Sequence, residues 1–353
     1  MKSQKSQKLW GGRFRTLTQK AVERFTHSLA IDQRLAREDL LGSIAHARML
    51  GKQGIIPAKV SHRLVRGLQE LLQELDKGRL SFDSSCEDVH TAIQNCLERK
   101  AGEACGYLHA ARSRNDQVVT TLRLYCKRKI KELSRQILRL QETVLSQAQN
   151  SQALLMPGYT HLRQAQPVAV GHLLLSYLPE LERDRERLQA ASVRLDELPL
   201  GSGALTGTGL PIDRKAVAKE LGFSRISENS IDAVTSRDFV GELLLGLALL
   251  AVHLSRISED LILWSSEEFG FLHFRDDLLT GSSMMPQKQN PDFLELTRAG
   301  ACLVIGNGTA LLTLLKGLPS GYQRDLQNDK ELLFGAIDRI EGKIGRASCR
   351  ERV

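Results

Sequence analysis

CKRKIKELSRQILRLQETVLSQA, Cys126–Ala148, is the stretch whose spacing decides the fold. Its apolar residues fall at Cys126, Ile130, Leu133, Ile137, Leu140, Val144 and Ala148, while Lys127, Lys131, Glu132 and Arg135 take the other faces. A four-three spacing lays one apolar stripe along a helix of many turns, as in a helical bundle. Neither Gly nor Pro occurs between Gly106 and Pro157, so a long helix is predicted.

Outward from this helix the helical pattern repeats. A second stretch covers about 167–195, with a kink expected at Pro179 and a charged face from Glu180 to Arg187. A third covers about 232–265. Its segment LLLGLALLAVHL, Leu243–Leu254, is apolar all round, so other helices must surround it, which points to association between chains. A fourth runs from near Pro291 through Leu315, where Gly300, Gly306 and Gly308 permit close contacts or a bend. Strand-like alternation is nearly absent.

The first hundred residues break into shorter helices at Gly51, Gly54, Pro57 and Gly78, the pattern of a small separate domain. The expected fold is therefore all-α, with an N-terminal helical domain over 1–109 and a central long-helix bundle over 110–342. The last eleven residues, KIGRASCRERV over 343–353, have no apolar period. They are expected to be a non-native tail, read from vector or adapter DNA.

At 353 residues, 42% hydrophobic and 25% charged, the chain has the composition of an ordered globular protein. The apolar run Leu243–Val252 is shorter than the ~20 residues of a membrane span. The N-terminus, MKSQKSQKLW, has no apolar stretch of the signal-peptide kind. A cytoplasmic protein without a membrane partner is expected.

Cys86, Cys96, Cys105, Cys126, Cys302 and Cys349 form no C-x-x-C pair, so reduced thiols are expected and no zinc or redox site. Of the formal charge of +8, Lys343, Arg346, Arg350 and Arg352 less Glu351 supply +3, leaving +5. That excess suits an anionic small ligand better than nucleic acid.

Three loops between the long helices carry side chains that plain connectors do not need. In HAARSRNDQV, His109–Val118, the residues Arg112, Arg114 and Asn115 cluster at a helix start. They could bind carboxylates, although the loop taken alone reads more simply as a cap with solvated arginines. PGYTHLRQAQP, Pro157–Pro167, holds Thr160 and His161 between turn residues, and histidine is the proton-transfer group of neutral pH. The other eight histidines are expected to be merely exposed, except that His90, beside Glu87 and Asp88, has a possible supporting part. TGSSMMPQKQNPD, Thr280–Asp292, joins a Gly-Ser-Ser tip to Lys288, Asn290 and a proline-bounded helix start, as a loop that closes over a ligand would. Ser282 has no His or Lys beside it in sequence, so its activation must come from backbone amides, Lys288 or a group brought by folding.

The third loop resembles the G-S-S-x-M-P-x-K-x-N signature of the fumarase and aspartase superfamily. Arg112–Gln117 (RSRNDQ) and Pro157–Leu162 (PGYTHL) resemble the argininosuccinate lyases within it. Further matches are Leu9–Phe14, Gly203–Thr208, Ser230–Val234, Ser236–Asp238 and Lys316–Pro319, so the likeness spans Leu9 to about Glu341. Two departures stand out. Ala110 and Ala111 follow His109 where the family usually has Thr-Gly, and Gln289 replaces a usual lysine.

The resemblance implies β-elimination of argininosuccinate to arginine and fumarate, with no metal or organic cofactor. It implies that Ser282 is the base and that His161, paired with Glu295, is the acid or its relay, though the two roles could be exchanged. Lys288 and Asn290 would hold the succinyl carboxylates beside Arg114, Asn115 and Thr160, and Ser28, Tyr322, Gln327 and Lys330 match substrate contacts. It further implies a homotetramer in which three loops of one site come from three subunits, and a small C-terminal helical domain that this chain stops short of. The rivals are another fumarate-releasing lyase of the superfamily, against which RSRNDQ and PGYTHL speak, and a structural protein akin to the δ-crystallins.

Overall fold

The computed structural model describes residues 18–348, with side chains through Ile344. The LWGGRF match at Leu9–Phe14 lies outside the described residues. The chain divides into two compact units, one holding residues up to Ala110 and Leu210–Asp213, the other Ala111–Gly209 and the chain from Arg214 on.

The first unit is a packed set of short helices: α1 (Lys20–Thr26), α2 (Leu29–Asp32), α3 (Ala36–Lys52), α4 (Ala58–Asp76) and α5 (Val89–Ala101). The breaks at Gly51–Pro57 and Gly78 fall where the sequence places them. α3 and α4 pack so closely that a Cβ on Gly51 would lie 2.4 Å from the Ser61 side chain. His46, one of the histidines read as exposed, is buried in this unit, and so is His90, the exception with a possible supporting part. His46 Nε2 bonds to the Ala110 carbonyl at 2.9 Å, so its polar edge is satisfied inside the core.

The second unit is built on α6 (Arg114–Asn150), 37 residues long. Cys126, Ile130, Leu133, Ile137, Leu140 and Ala148 are buried on it, and this stripe packs α6 against α8 and α13. After α6 come the hairpin strands β1 (Leu155–Thr160) and β2 (Arg163–Ala169), then α7 (Val170–Leu175) and α8 (Tyr177–Leu195). A two-residue strand β3 (Glu197–Leu198), α9 (Arg214–Leu221) and a strand β4 (Arg225–Ile226) precede α10 (Ser230–Thr235), α11 (Asp238–Trp264), α12 (Asp292–Leu315) and α13 (Asp329–Ser348). β3 and β4 pair in parallel.

Four expectations are corrected here. Residues 167–169, expected to begin the second helix, instead end an antiparallel hairpin over 155–169. The following helix breaks at Ser176, and Pro179 sits in the first turn of α8, where its missing N–H costs nothing. The third stretch is two helices, because Ser236 leaves helical geometry between α10 and α11. Finally, α13 carries on past Gly342, and Lys343 and Ile344 are buried, so the first residues of the expected tail pack as helix.

α11 and α12 have the length and hydropathy of membrane spans, yet they are bundle helices here, with more mutual contact than any other pair. α11 is also tied to α8 by polar bonds: Arg194 Nε to Glu242 at 2.5 Å, His253 Nδ1 to Asp184 at 2.7 Å, Arg256 to Glu180 at 2.7 Å, and Tyr177 Oη to Asp260 at 2.8 Å. The all-round apolar helix is not fully surrounded within one chain. Leu245, Leu249 and Val252, at i, i+4 and i+7, remain 47%, 43% and 36% exposed, and Leu296, Leu303, Ile305 and Leu312 of α12 are exposed too.

The start of α6 is fixed by a buried carboxylate. Ser113 caps the helix, and Asp116 returns the bond to the Ser113 N–H at 3.0 Å, which closes a capping box. The other Asp116 oxygen accepts from Gly201 N at 3.0 Å and Gly203 N at 2.8 Å. Gly203 has φ +61°, and a Cβ there would lie 2.5 Å from the Gly207 carbonyl, so only glycine can present that amide. Burial pushes the Asp116 carboxyl up to about 6 against these bonds and the Arg112 charge. Just before the cap, Ala111 has φ +57°, the left-handed region that suits the glycine usual at this place in the family.

Two predictions follow from these positions. Ala111→Gly should stabilise the protein by roughly 0.5–1 kcal/mol, the relief of the left-handed conformation less the added freedom of the unfolded chain; a lower denaturation midpoint in the variant would show that Ala111 is unstrained. For Asp116, the folded value of about 6 exceeds the ordinary 3.8, so the folded state holds the proton more tightly and this group's contribution falls as pH rises through about 4 to 6. The stability of wild type relative to Asp116→Asn should therefore decline across that window by up to about 3 kcal/mol. A difference independent of pH between 4 and 6 would count against a desolvated carboxylate.

Candidate active site

The side chains of the second unit that the three loops carry stand on three separate supports. At the start of α6, Arg114 and Asn115 are half-buried, and Asn115 Nδ2 donates to the Ala204 carbonyl at 3.0 Å. The loop 200–204 and this helix start are thus one assembly, with Asp116 beneath and Asn115 on top. Asp116 belongs to the same RSRNDQ segment but is missed as a functional position by the sequence reading. The S-x-x-D pattern of a capping box over Ser113–Asp116 is the signal that could have found it.

The second support is the β1–β2 hairpin. Thr160 pairs with Arg163, and the two residues between them, His161 and Leu162, both have φ +56°. Positive φ at both central positions is the geometry of a tight hairpin turn whose twist matches that of the strands. His and Leu adopt it at a cost of about 1–2 kcal/mol each. Such strain persists where surrounding structure imposes it. Here Tyr159 stacks edge-on against Phe269 at 5.3 Å and near Phe271 at 6.2 Å, anchoring the hairpin beneath its tip. His161 and Thr160 are exposed.

The third support is the loop 281–289, closed by a bridge in which Thr280 N donates to Asn290 O at 3.0 Å and Asn290 N to Thr280 O at 2.8 Å. Thr280 Oγ1 donates to Asp292 at 2.5 Å, tying the bridge to the first turn of α12. Within the loop Ser282 Oγ accepts from Met284 N at 3.3 Å and Met285 N at 3.2 Å. Two amides directed at one hydroxyl oxygen favour negative charge on it, and amides are one of the three sources of activation that the sequence leaves open. Lys288 is exposed on the same loop, Asn290 half-buried at its base, and Glu295 exposed on α12. Gln289, standing where the family usually has lysine, donates to Asp276 at 3.1 Å.

Ser282, Lys288, Asn290 and Glu295 are therefore gathered by one continuous segment. His161 and Glu295 make no hydrogen bond or ion pair with each other in the chain. The cause is local: one sits at a hairpin tip, the other on an outward turn of α12.

Tyr322 and Gln327 are half-buried around a short 3-10 turn, Arg324–Asn328. Lys330 is buried, donating to Asp329 at 2.9 Å, and Asp329 also accepts from the fully buried Arg237 at 2.5 Å. Burial alone would raise the Asp329 carboxyl, but Lys330 and Arg237 hold it below the usual carboxylate range. The sequence reading gives no role to Asp329 or to Arg237, although Arg237 lies in the Ser236–Asp238 match, because nothing local marks a carboxylate that pairs 92 residues away.

In the first unit Ser28 is buried, and its Oγ donates to Asp32 at 2.5 Å. His90, given a possible supporting part, has its Nδ1 3.1 Å from Asp39 Oδ1.

Comparison with known proteins agrees with these features. A family model described as Lyase matches residues 12–306. The argininosuccinate lyase of Moorella thermoacetica is 50% identical over 335 residues, covering 95% of this chain and 72% of that protein. Among solved structures, EDDS lyase in complex with formate superposes with a TM-score of 0.76 at 27% identity, over 89% of this chain and 63% of that one. The class II fumarase of Schistosoma mansoni shares the fold alone, with a TM-score of 0.76 at 18% identity over 93% of this chain and 76% of that one. On its long-helix bundle, its three loops and half of its residues in common with a curated relative, the chain belongs to the argininosuccinate lyase family of the fumarase and aspartase superfamily.

Proposed function

We propose that this chain splits argininosuccinate into arginine and fumarate, with Ser282 removing the proton beside a succinyl carboxylate. The observation that carries this reading is the pair of backbone amides on Ser282 Oγ, held on a loop that also presents Lys288 and Asn290. The difficult species in such an elimination is a carbanion next to a carboxylate, so fixed donors around that carboxylate matter more than a strong base. Lys288, Asn290, Arg114, Asn115 and Thr160 supply them. His161 donates the proton to the departing guanidinium nitrogen, and Glu295 supports it.

His161 and Glu295 meet only between copies in this reading. Two features support it: the absence of any bond between them within the chain, and the apolar stripe of Leu245, Leu249, Val252, Leu303 and Leu312 left exposed on α11 and α12. Burying that stripe against neighbouring copies is the ordinary hydrophobic drive for a helical homotetramer. Each site then draws the hairpin of one copy and the Ser282 loop of another.

Two measurements test these readings. Purified protein should release fumarate from argininosuccinate, followed by ultraviolet absorbance, and Ser282→Ala should lower kcat by ~10²-fold or more with little change in thermal stability; near-normal turnover would remove Ser282 from the reaction. Co-refolding His161→Asn with Ser282→Ala, each inactive alone, should regain activity in about a quarter of the sites, those that take both loops from unaltered copies. Verified hybrid assemblies as inactive as either parent would place both residues in a site made by one chain.

A further inference from the structure

The outer end of the β1–β2 hairpin is open to solvent. β2 is exposed over its first five residues, and Leu155 and Leu162 are exposed as well. A two-stranded hairpin is marginal in water and needs packing from outside itself to hold one shape. Near the tip that packing comes through Tyr159, the residue before Thr160. The strand register slips between Pro157 and Tyr159, and a Cβ on the intervening Gly158 would lie 2.8 Å from the Gln166 carbonyl. Such a bulge re-aims the neighbouring side chain, and Tyr159 is half-buried beside two phenylalanine rings.

Those rings belong to the stem of the Ser282 loop. Past α11, Gly270 N donates to Ser266 O at 2.8 Å, and Phe271 N and Leu272 N both donate to Trp264 O, at 2.9 and 3.0 Å. Gly270 takes φ +58° at this reversal, the left-handed geometry that favours glycine. Phe269 and Phe271 lie 5.8 Å apart, and Tyr159 is 5.3 Å from the first, edge-on at 81°, and 6.2 Å from the second. Rings at these separations hold one another in a preferred orientation. The same stem is fastened to the bundle, since Trp264, Leu272 and Phe274 pack on the core around Leu261 and Leu294, and Phe274 meets Phe293 edge-on at 5.5 Å. Beyond it the loop 281–289 has its own closure in the Thr280–Asn290 bridge.

We propose that Phe269, with Phe271 beside it, is a positioning residue for His161 that acts through Tyr159, so that the stem of the Ser282 loop aims the histidine hairpin of the same chain. The inference rests on the reading that one chain gives its hairpin and its Ser282 loop to different sites. Each chain then fixes the acid of one site from the foot of the loop that supplies a base to another. The turn at His161 and Leu162 makes the support necessary. With both residues at φ +56°, the turn is held against its own preference, and without the rings it relaxes and the imidazole leaves its place. Ser282, behind its separate bridge, keeps its own.

The experiment places one substitution on either parent of a reconstituted pair. When His161→Asn and Ser282→Ala chains are refolded together, each regained site takes its hairpin from a Ser282→Ala chain and its Ser282 loop from a His161→Asn chain. Phe269→Leu carried by the Ser282→Ala chain should lower the regained fumarate release about tenfold or more. Carried by the His161→Asn chain, it should leave that release within about twofold. Equal losses from the two placements, or a loss from the second alone, would overturn the proposal. Should Phe269→Leu fail to fold, Tyr159→Leu in the same two placements decides the question.

Variants of the otherwise unaltered enzyme give a second route. Tyr159→Leu, Phe269→Leu and the double variant should lower kcat to a similar degree with KM near wild type, because all remove one contact. Tyr159→Phe keeps the ring and should keep kcat. Additive losses in the double variant, or an equal loss in Tyr159→Phe, would refute the ring contact as the cause. If the His161→Asn and Ser282→Ala pair regains nothing, the shared-site reading fails by itself and these variants still test the contact. If wild type releases no fumarate, the lyase reading fails by itself, and the rate at which diethyl pyrocarbonate modifies His161, read by peptide mass spectrometry, takes the place of kcat. It should change in Tyr159→Leu and Phe269→Leu alike and hold in Tyr159→Phe; an unchanged rate in all three would end the proposal.

Discussion

The Asp116 carboxylate is the interaction on which the catalytic end of the bundle depends. It accepts three backbone N–H groups, from Ser113, Gly201 and Gly203, and joins the start of the longest helix to a loop 85 residues further on. A neutral group could not satisfy three donors as well, since only an ionised carboxylate has acceptor sites to spare on both oxygens. Its desolvation is what raises its pKa to about 6. The arrangement spends stability to fix Arg114 and Asn115, a trade common at functional sites.

The same device recurs. Asp32 lies behind Ser28, Asp116 behind the Arg114–Asn115 helix start, and Asp329 behind Lys330, each 2% exposed or less. In each case a buried carboxylate settles the orientation of a polar group beside it. The three differ in electrostatics. Burial dominates at Asp32 and Asp116 and raises their carboxyls, whereas Lys330 and Arg237 outweigh burial at Asp329. Groups brought to a reaction in advance cost no reorganisation when charge develops.

His161 and Ser282 stand on supports of another kind. Both sit on exposed loops, one a hairpin turn with two residues at φ +56° and the other a loop closed by the Thr280–Asn290 bridge. Neither makes the side-chain bond to a proton-transfer partner that a finished site would show. Exposed loops of this sort suit closure over a substrate, and the uncovered apolar stripe on α11 and α12 suits their completion by other copies.

Much of this was legible in the residues alone. The four-three spacing of α6, the Gly and Pro breaks between α3 and α4, and the three unusual loops are local patterns, and local patterns survive in a linear sequence because helix periodicity and capping act over three or four residues. Tertiary structure decided the rest. The 155–169 hairpin depends on a pairing register that leaves little alternation to read in LMPGYTHLRQAQPVA. The burial of His46, Asp32 and Asp329 depends on partners 64, 57 and 92 residues distant, and the open face of α11 depends on how many neighbours one chain can bring. Contacts between residues far apart in the chain carry no spacing rule, which is why the helices were determined by sequence and the setting of each charged group only by the fold.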